Sequence, residues 1–535
     1  MGVGEEEMKN KEIGSLWNGF VKSKYFYPLL IVSLLFVYIL LAFKNPFADN
    51  SLISNIEPYP DTLLYAYPSW NWVNNGDWSL SAWGKEVRVS VPNTYGYYLT
   101  PFYKMFGDIR SFYIANIFLG IGAIVFFGLA LRNLLGDKKW YIVAYSGFLL
   151  VTNFYFFNKP QLAMAENVNY LLVSIFIYFL SVSFKWKQLF LMIPFVVISG
   201  YLKNTNMVLA GSFLLAFVVK IMSEKMSLKN IKIWLGLGLV FGVGLVLFYL
   251  PKMLTLSPNA FGLKFFDKNF DFYFSCLTGG ECRNLWYWQR LVSRDIVSLF
   301  FLGVGLMIAD KTRSSLIVQL LLPLVLLVLA MSVFVDTEGR HVEVLVPIML
   351  AVGALGLNKM LNKFKWPMLV IAILVLVNLA LTSYQPVDWE VKAVSLKKQV
   401  GLNLRHREDP WNYLCLRMVE DYMVDKDEAY FGSFLPIYLF RAYEVDINYL
   451  PLANDQDFMN GRGLRDYFPP PLKDIYDQKL REGREIYVSD NYASNGRDAW
   501  RHQWDVIMAD KNLEKVYQSP LDNCNIYKIT LKDEE

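Results

Sequence analysis

The chain has 535 residues, 54% of them hydrophobic and 16% aromatic, and its mean hydropathy is +0.28. Soluble domains are roughly 45–50% apolar, so this composition excludes an ordinary soluble protein and defines a polytopic membrane protein. The formal net charge of +4 gives no argument for nucleic acid, four cysteines are too few for a disulfide scaffold, and His341, His406 and His502 are too scattered to suggest a zinc site.

Residues 1–25 are polar, with Lys9, Lys11, Lys22 and Lys24 leading into the apolar run Tyr27–Phe43. No small-residue cleavage site follows, so this run is read as an uncleaved first span. Further apolar runs near 111–132, 140–157, 166–184, 187–202, 205–222, 231–250, 294–309, 314–334, 341–357 and 366–384 approach or exceed the length needed to cross a bilayer, about 20 residues. Together they predict an α-helical transmembrane domain, 26–384, of about eleven helices. With the N-terminus in the cytoplasm, the inner loops hold Arg132, Lys138 and Lys139; Lys185 and Lys187; Lys220, Lys225, Lys229 and Lys232; Lys311 and Arg313; and Lys359, Lys363 and Lys365. Every inner loop is then basic, as the positive-inside rule requires. The opposite face carries the outer loops 44–110 and 251–293, short turns near 158–165, 203 and 335–340, and the tail. The protein is therefore expected to be multi-pass, in the plasma membrane, with its C-terminus extracytoplasmic.

In the outer loop 251–293, Cys276 and Cys282 flank Gly279 and Gly280 in CLTGGEC and could close a tight turn on an oxidising face. Cys415 and Cys524 in the tail could pair likewise, and unpaired thiols are the alternative. The tail, 385–535, alternates helical patterns (Trp389–Leu402, Trp411–Asp425) with strand-like runs (Ala429–Phe431, Ile486–Val488, Asn525–Ile529), which predicts a compact extracytoplasmic α/β domain.

No GxGxxG follows a strand and no GxxxxGK[ST] occurs, which argues against an ATP-driven pump. The informative signal is asymmetry. Lys159, Lys203 and Arg340 stand in outer turns, and Arg283, Arg290 and Arg294 lie near Trp286, Tyr287 and Trp288 in the long outer loop. Cations on the side that should lack them suggest an anionic ligand such as a lipid phosphate, which Arg binds as a fork and Lys as a point charge; snorkelling at helix ends is the alternative. Glu343, three residues after Arg340, could orient it from the same helix face. Two outer acids accompany these cations. Asp61 begins the juxtamembrane segment Asp61–Asn75, closed by Gly76, where it could instead be a helix cap. Glu166 opens the fourth span after Lys159-Pro160, where a carboxylate is favourable against the helix dipole in any case. Among the aromatics of the first outer loop, Trp70, Trp72 and Trp78 suit the interface, whereas Tyr95, Tyr97 and Tyr98 are candidates to line a ligand site.

Asp61 with LLYAYPSWNWVNNGDW, followed by YGYYLTPFYKMFGD, resembles the first outer loop of the GT-C glycosyltransferases that use polyprenyl-phosphate sugars, the group of the protein O-mannosyltransferases and the lipid A aminoarabinose transferase. In that group an Asp follows the first span, a "YA" helix and a "GDW" turn come next, and an aromatic motif leads into the second span. The likeness extends to LAMAENVNYLL around Glu166, to GRHVEVLVPIMLAVGAL around Arg340 and to GSFLPIYLFRAYEV in the tail. The basic residue and Pro pair that usually open the aromatic motif are replaced here by Asn93, Thr94 and Tyr95.

The resemblance implies an inverting glycosyltransferase acting on a polyprenyl-phosphate-linked sugar, with a protein, lipid or glycan as acceptor and membrane lipids as surroundings. It implies Asp61 and Glu166 as catalytic acids, Arg340, Lys159 and Lys203 at the donor phosphate, and Tyr65, Tyr95, Tyr97, Tyr98 and His341 lining the substrate site. No cofactor is expected; outer carboxylates could take a divalent metal, but no ligand spacing demands one. The alternatives are a transporter or flippase of polyprenyl-linked sugars and a non-catalytic assembly factor.

Overall fold

The computed structural model describes residues 25–43, 67–76, 79–82, 85–88, 94–108, 111–153, 156–157, 160, 164–183, 189–202, 206–223, 302–306, 314–333, 343–382, 386–387, 392–393, 422–434, 447–452, 472–490, 498–518 and 525–532. Helices dominate up to residue 382, and a mixed sheet follows. The helices are α1 (Phe26–Ala42), α2 (Tyr67–Asn75), α3 (Thr94–Phe106), α4 (Ser111–Leu135), α5 (Trp140–Val151), α6 (Glu166–Ser181), α7 (Leu189–Leu202), α8 (Asn206–Ser223), α9 (Ser314–Val333), α10 (Val346–Leu361) and α11 (Pro367–Thr382). A two-stranded hairpin, β1 (Ser79–Ala82) and β2 (Lys85–Arg88), joins α2 to α3. Each predicted span except 231–250 and 294–309 coincides with one of these helices; of the latter run 302–306 is described and helical, and 231–250 lies outside the described residues.

Among the described residues, α4 is the one helix both long and apolar enough to cross a membrane; its 25 residues span about 37 Å. The shorter helices are apolar on their open faces as well as their packed ones. Leu34, Tyr38 and Leu41 of α1 are buried, yet Leu29, Val32, Phe36 and Leu40 are exposed, and α11 exposes Met368, Leu369, Ile373 and Leu376. A helix hydrophobic all round does not face water. Inside, α4 runs along α6, and α6, α7 and α8 share an aromatic core in which Phe176 stacks on Phe213 at 4.3 Å and Phe195 lies 5.4 Å from Phe213. Where 302–306 crosses α10, a Cβ on Gly356 would lie 2.4 Å from the Gly305 Cα. Backbone meets backbone there, the small-residue contact that brings membrane helices together.

Polar contacts sort the helix termini into two ends. At one, the Tyr27 hydroxyl donates to the Asp137 carbonyl (3.1 Å), Asn133 Nδ2 to Ser181 Oγ (3.1 Å), Lys139 Nζ to Asn362 Oδ1, and Gln319 Nε2 to Ser223 Oγ (3.2 Å). Lys220 Nζ, buried, donates to the Leu180 carbonyl at 2.8 Å, a cation against the negative end of a helix. The described basic residues assigned to inner loops thus gather at this end. At the other, the Tyr113 hydroxyl donates to the Ala42 carbonyl, and Asn169 and Asn206 exchange side-chain hydrogen bonds; the first residues of α4, α6, α8 and α10 start here.

The C-terminal sheet has the order β6-β5-β7-β9-β8, from β5 (Tyr430–Ser433), β6 (Asn448–Pro451), β7 (Ile486–Ser489), β8 (Lys511–Tyr517) and β9 (Ile526–Leu531). Strands β6, β5 and β7 are parallel, and β9 runs antiparallel to β7 and β8. With α12 (Leu472–Arg481) and α13 (Asp498–Met508) it makes an α/β unit. The three strand-like runs of the sequence are β5, β7 and β9. The helix expected over Trp389–Leu402 is corrected at its two described residues: β4 (Lys392–Ala393) pairs antiparallel with β3 (Pro386–Val387), a Pro-led start that suits a short edge pairing. Of Trp411–Asp425, residues 422–425 are described, 422–423 helical and 424–425 a turn, and all four cysteines lie outside the described residues.

An ion cluster ties α12 to β8. The buried Lys511 Nζ reaches Asp477 Oδ1 at 2.5 Å and Asp510 Oδ1 at 2.9 Å, and Lys473 Nζ reaches Asp510 Oδ2 at 2.8 Å. The hydrogen bond from Lys473, joined by Lys511, lowers the Asp510 carboxyl from 3.8 to about 2. A depressed acid contributes its stability above its unfolded pKa and loses it as pH falls through the folded one. Thermal unfolding of the full chain is therefore expected to be insensitive to Asp510→Asn in buffer at about pH 2 and to show a lower Tm for the variant above about pH 4; an equal Tm at both pH values would remove Asp510 from the ledger of stabilising groups.

Candidate active site

The described residues between α1 and α4 form a braced platform. Helix α2 ends at Gly76, whose φ of +69° and N–H donated to the Trp72 carbonyl (3.0 Å) form the left-handed cap that glycine provides without strain. The chain returns through β1 and β2 into α3, which lies against α2. Ser69 Oγ and Thr100 Oγ1 are 2.9 Å apart, Asn74 Nδ2 donates to the Tyr103 hydroxyl at 3.0 Å, and the Trp72 and Tyr97 rings meet edge-on at 6.2 Å. Helix α3 is in turn fastened to α4: the Tyr95 hydroxyl donates to Asn116 Oδ1 at 2.7 Å and the Tyr98 hydroxyl to the Ala115 carbonyl at 2.8 Å.

Tyr95 and Glu166 meet in one buried cluster. Glu166, the first residue of α6, is 1% exposed, and Tyr95 is fully buried. Asn116 Nδ2 donates to the Pro160 carbonyl at 3.1 Å, and Asn167 Nδ2 to the Met164 carbonyl at 3.1 Å. Burial, reinforced by Tyr98 and the Glu166 carboxylate, pushes the Tyr95 phenol up, although hydrogen bonds with Asn116 and Asn167 oppose the shift. Tyr95 therefore stays protonated and acts as a donor. The cluster joins α3, α4, α6 and the connection before α6. Tyr95→Phe is expected to lower stability by about 1–3 kcal/mol, because Asn116 Oδ1 would lose a buried donor; an unchanged Tm of the purified protein would contradict that.

The sequence-predicted residues are distributed as follows. Glu166 and Tyr95 come together; Tyr98 flanks them, half-buried, with its hydroxyl engaged by α4. Tyr97 is 56% exposed and packs on Trp72. Glu343 is buried just before α10, at the same end of the bundle as Glu166. Asp61, Tyr65, Lys159, Lys203, Arg340 and His341 lie outside the described residues. Sequence reasoning did not single out Asn116, Asn167 or the Asn169–Asn206 pair. Their signal was available, since a carboxamide within an apolar span is costly unless paired. Among the described residues no group of three or more His, Cys, Asp or Glu could hold a metal ion.

The helical bundle, the braced segment after its first helix and the C-terminal mixed sheet make up a fold known from solved structures of other proteins. It is shared over 95% of this chain and 98% of the other with ArnT from Cupriavidus metallidurans bound to undecaprenyl phosphate, at a TM-score of 0.59 and 13% identity. The oligosaccharyltransferase AglB from Archaeoglobus fulgidus, in complex with an inhibitory peptide and a dolichol-phosphate, matches 95% of this chain and 74% of its own at a TM-score of 0.56 and 11% identity. No family model matches the sequence, and no curated protein matches it.

Proposed function

We infer that the protein is an integral membrane glycosyltransferase that moves a sugar from a polyprenyl-phosphate donor to an acceptor hydroxyl at the outer membrane face, with inversion. The observation that carries this reading is the fold shared over nearly the whole chain with ArnT, whose structure holds undecaprenyl phosphate. The residues support it. Asp61 accepts the proton of the acceptor hydroxyl as the oxygen attacks the anomeric carbon. The bond from that carbon to the phosphate oxygen breaks, and Arg340, with Lys159 or Lys203, stabilises the departing lipid phosphate. Phosphate is a good leaving group, so no separate general acid is needed. Glu166, buried at the start of α6, orients acceptor or donor sugar. The chain runs from a cytoplasmic N-terminus through about eleven spans to the extracytoplasmic α/β unit.

A transporter would place ionisable groups near the middle of its spans. Among the described residues of the helical region, the buried ones are Glu166, Lys220 and Glu343, the first opening α6, the second in the last turn of α8 and the third just ahead of α10. That terminal placement favours chemistry at a membrane face over passage through it. The test is transfer of a radiolabelled sugar from a purified polyprenyl-phosphate donor by the full chain in detergent. Consumption of the donor with label appearing in an acceptor supports the assignment, and donor left intact across a panel of lipid-linked sugars with protein, lipid and glycan acceptors would refute it.

A further inference from the structure

At the end of the bundle opposite Glu166, two connections are drawn together by the bond from Lys139 Nζ to Asn362 Oδ1. One is the turn before α5, with Asp137, Lys138 and Lys139; the other is the link from α10 to α11, with Lys363, Phe364, Lys365 and Trp366. Two of the charges here are engaged within the fold. Arg132 pairs with Asp137 at 2.8 Å and lies over the Tyr27 ring at 4.6 Å. Lys359 sits in the last turn of α10, where the helix dipole favours a cation. Lys139, bonded to Asn362 Oδ1, and Lys138 stand directly ahead of the α5 N-terminus, and Lys363 and Lys365 ahead of that of α11. Cations at the positive ends of two helices are unfavourable, and an anion is the complement that both the dipoles and the lysines call for. Asp137, the one carboxylate in the two connections, is engaged by Arg132. Among the described residues Lys138, Lys363 and Lys365, all exposed, make no ion pair.

The surroundings identify which anion. Phe364 and Trp366 are 49% and 65% exposed beside the lysines, and α11 continues with the exposed apolar residues Met368 and Leu369. Aromatic side chains next to lysines at the end of an apolar face mark the headgroup level of a bilayer, where a phosphate arrives attached to acyl chains. We propose that Lys138, Lys139, Lys363 and Lys365, between the N-termini of α5 and α11, form a cradle for the headgroup of an acidic phospholipid. The site rests on the membrane reading of the fold and not on the catalytic assignment; a chain that transfers no sugar would still bind the lipid.

The experiment is purification of the full chain from mixed phosphatidylglycerol and phosphatidylcholine, with retained lipid quantified by mass spectrometry and Tm read with each lipid added. The wild type is expected to enrich phosphatidylglycerol at least about fivefold over its share of the mixture, the effect of one lysine near an anionic surface, and to gain Tm from it alone. In K138Q/K363Q/K365Q the enrichment falls to about one, whereas K138R/K363R/K365R keeps it. Undiminished enrichment in the glutamine variant overturns the proposal. So does an equal loss in the arginine variant, or a Tm rise from inorganic phosphate that matches the rise from phosphatidylglycerol.

Discussion

Replacing Asp61 with Asn is expected to lower sugar transfer by about 10²–10⁴-fold, the usual contribution of a positioned general base, while leaving expression and donor binding near wild type. The amide keeps the shape and hydrogen-bonding reach of the side chain but cannot accept the acceptor's proton. Asn is also a good helix cap, so the substitution separates the two roles open to this residue. A cap would survive it and a base would not. The measurement is single-turnover transfer from purified lipid donor alongside donor affinity. Near-normal turnover would reduce Asp61 to a cap and remove the base from the mechanism.

The second large effect is expected at Arg340. In an inverting displacement on a phosphate-linked sugar, negative charge grows on the departing phosphate as the anomeric bond breaks, so a guanidinium there acts more strongly on the transition state than on the bound donor. Arg340→Ala is expected to cost about 10²–10³ in kcat with a smaller change in KM. Arg340→Lys should recover part of the loss, since it restores the charge without the two-pronged geometry. Unchanged kinetics in Arg340→Ala would place the arginine outside the site.

The apolar runs made the helices legible because in hydrocarbon every backbone polar group must be satisfied within its own segment. The end of the bundle to which the described basic loop residues go was legible for the same kind of reason, in the Lys and Arg spacing. The sheet was readable where its strands carry buried apolar residues. Strand β7, IYVS, is buried at all four positions and was anticipated; β8, KNLEKVY, is mostly exposed and carries no apolar alternation because it is an edge strand. In the site, Glu166 stood out as an acid at the start of an apolar run. Asn116 did not, because one carboxamide in a 25-residue apolar helix reads as a blemish until Tyr95 and the Pro160 carbonyl are seen on either side of it.

The exchanged amides of Asn169 and Asn206 also constrain how the chain is made. Each carboxamide sits within the first turns of its helix, α6 or α8, and while either helix is alone its side chain lacks the other's bonds. The two are separated in the sequence by α7, so α6 cannot settle until α8 has been synthesised. Insertion of α6, α7 and α8 as one parcel is the expected order of events. Site-specific crosslinking of ribosome-bound chains would test it: α6 should stay beside the insertion machinery in chains that stop before residue 206 and leave it in chains that extend past α8, and early release would sink the idea.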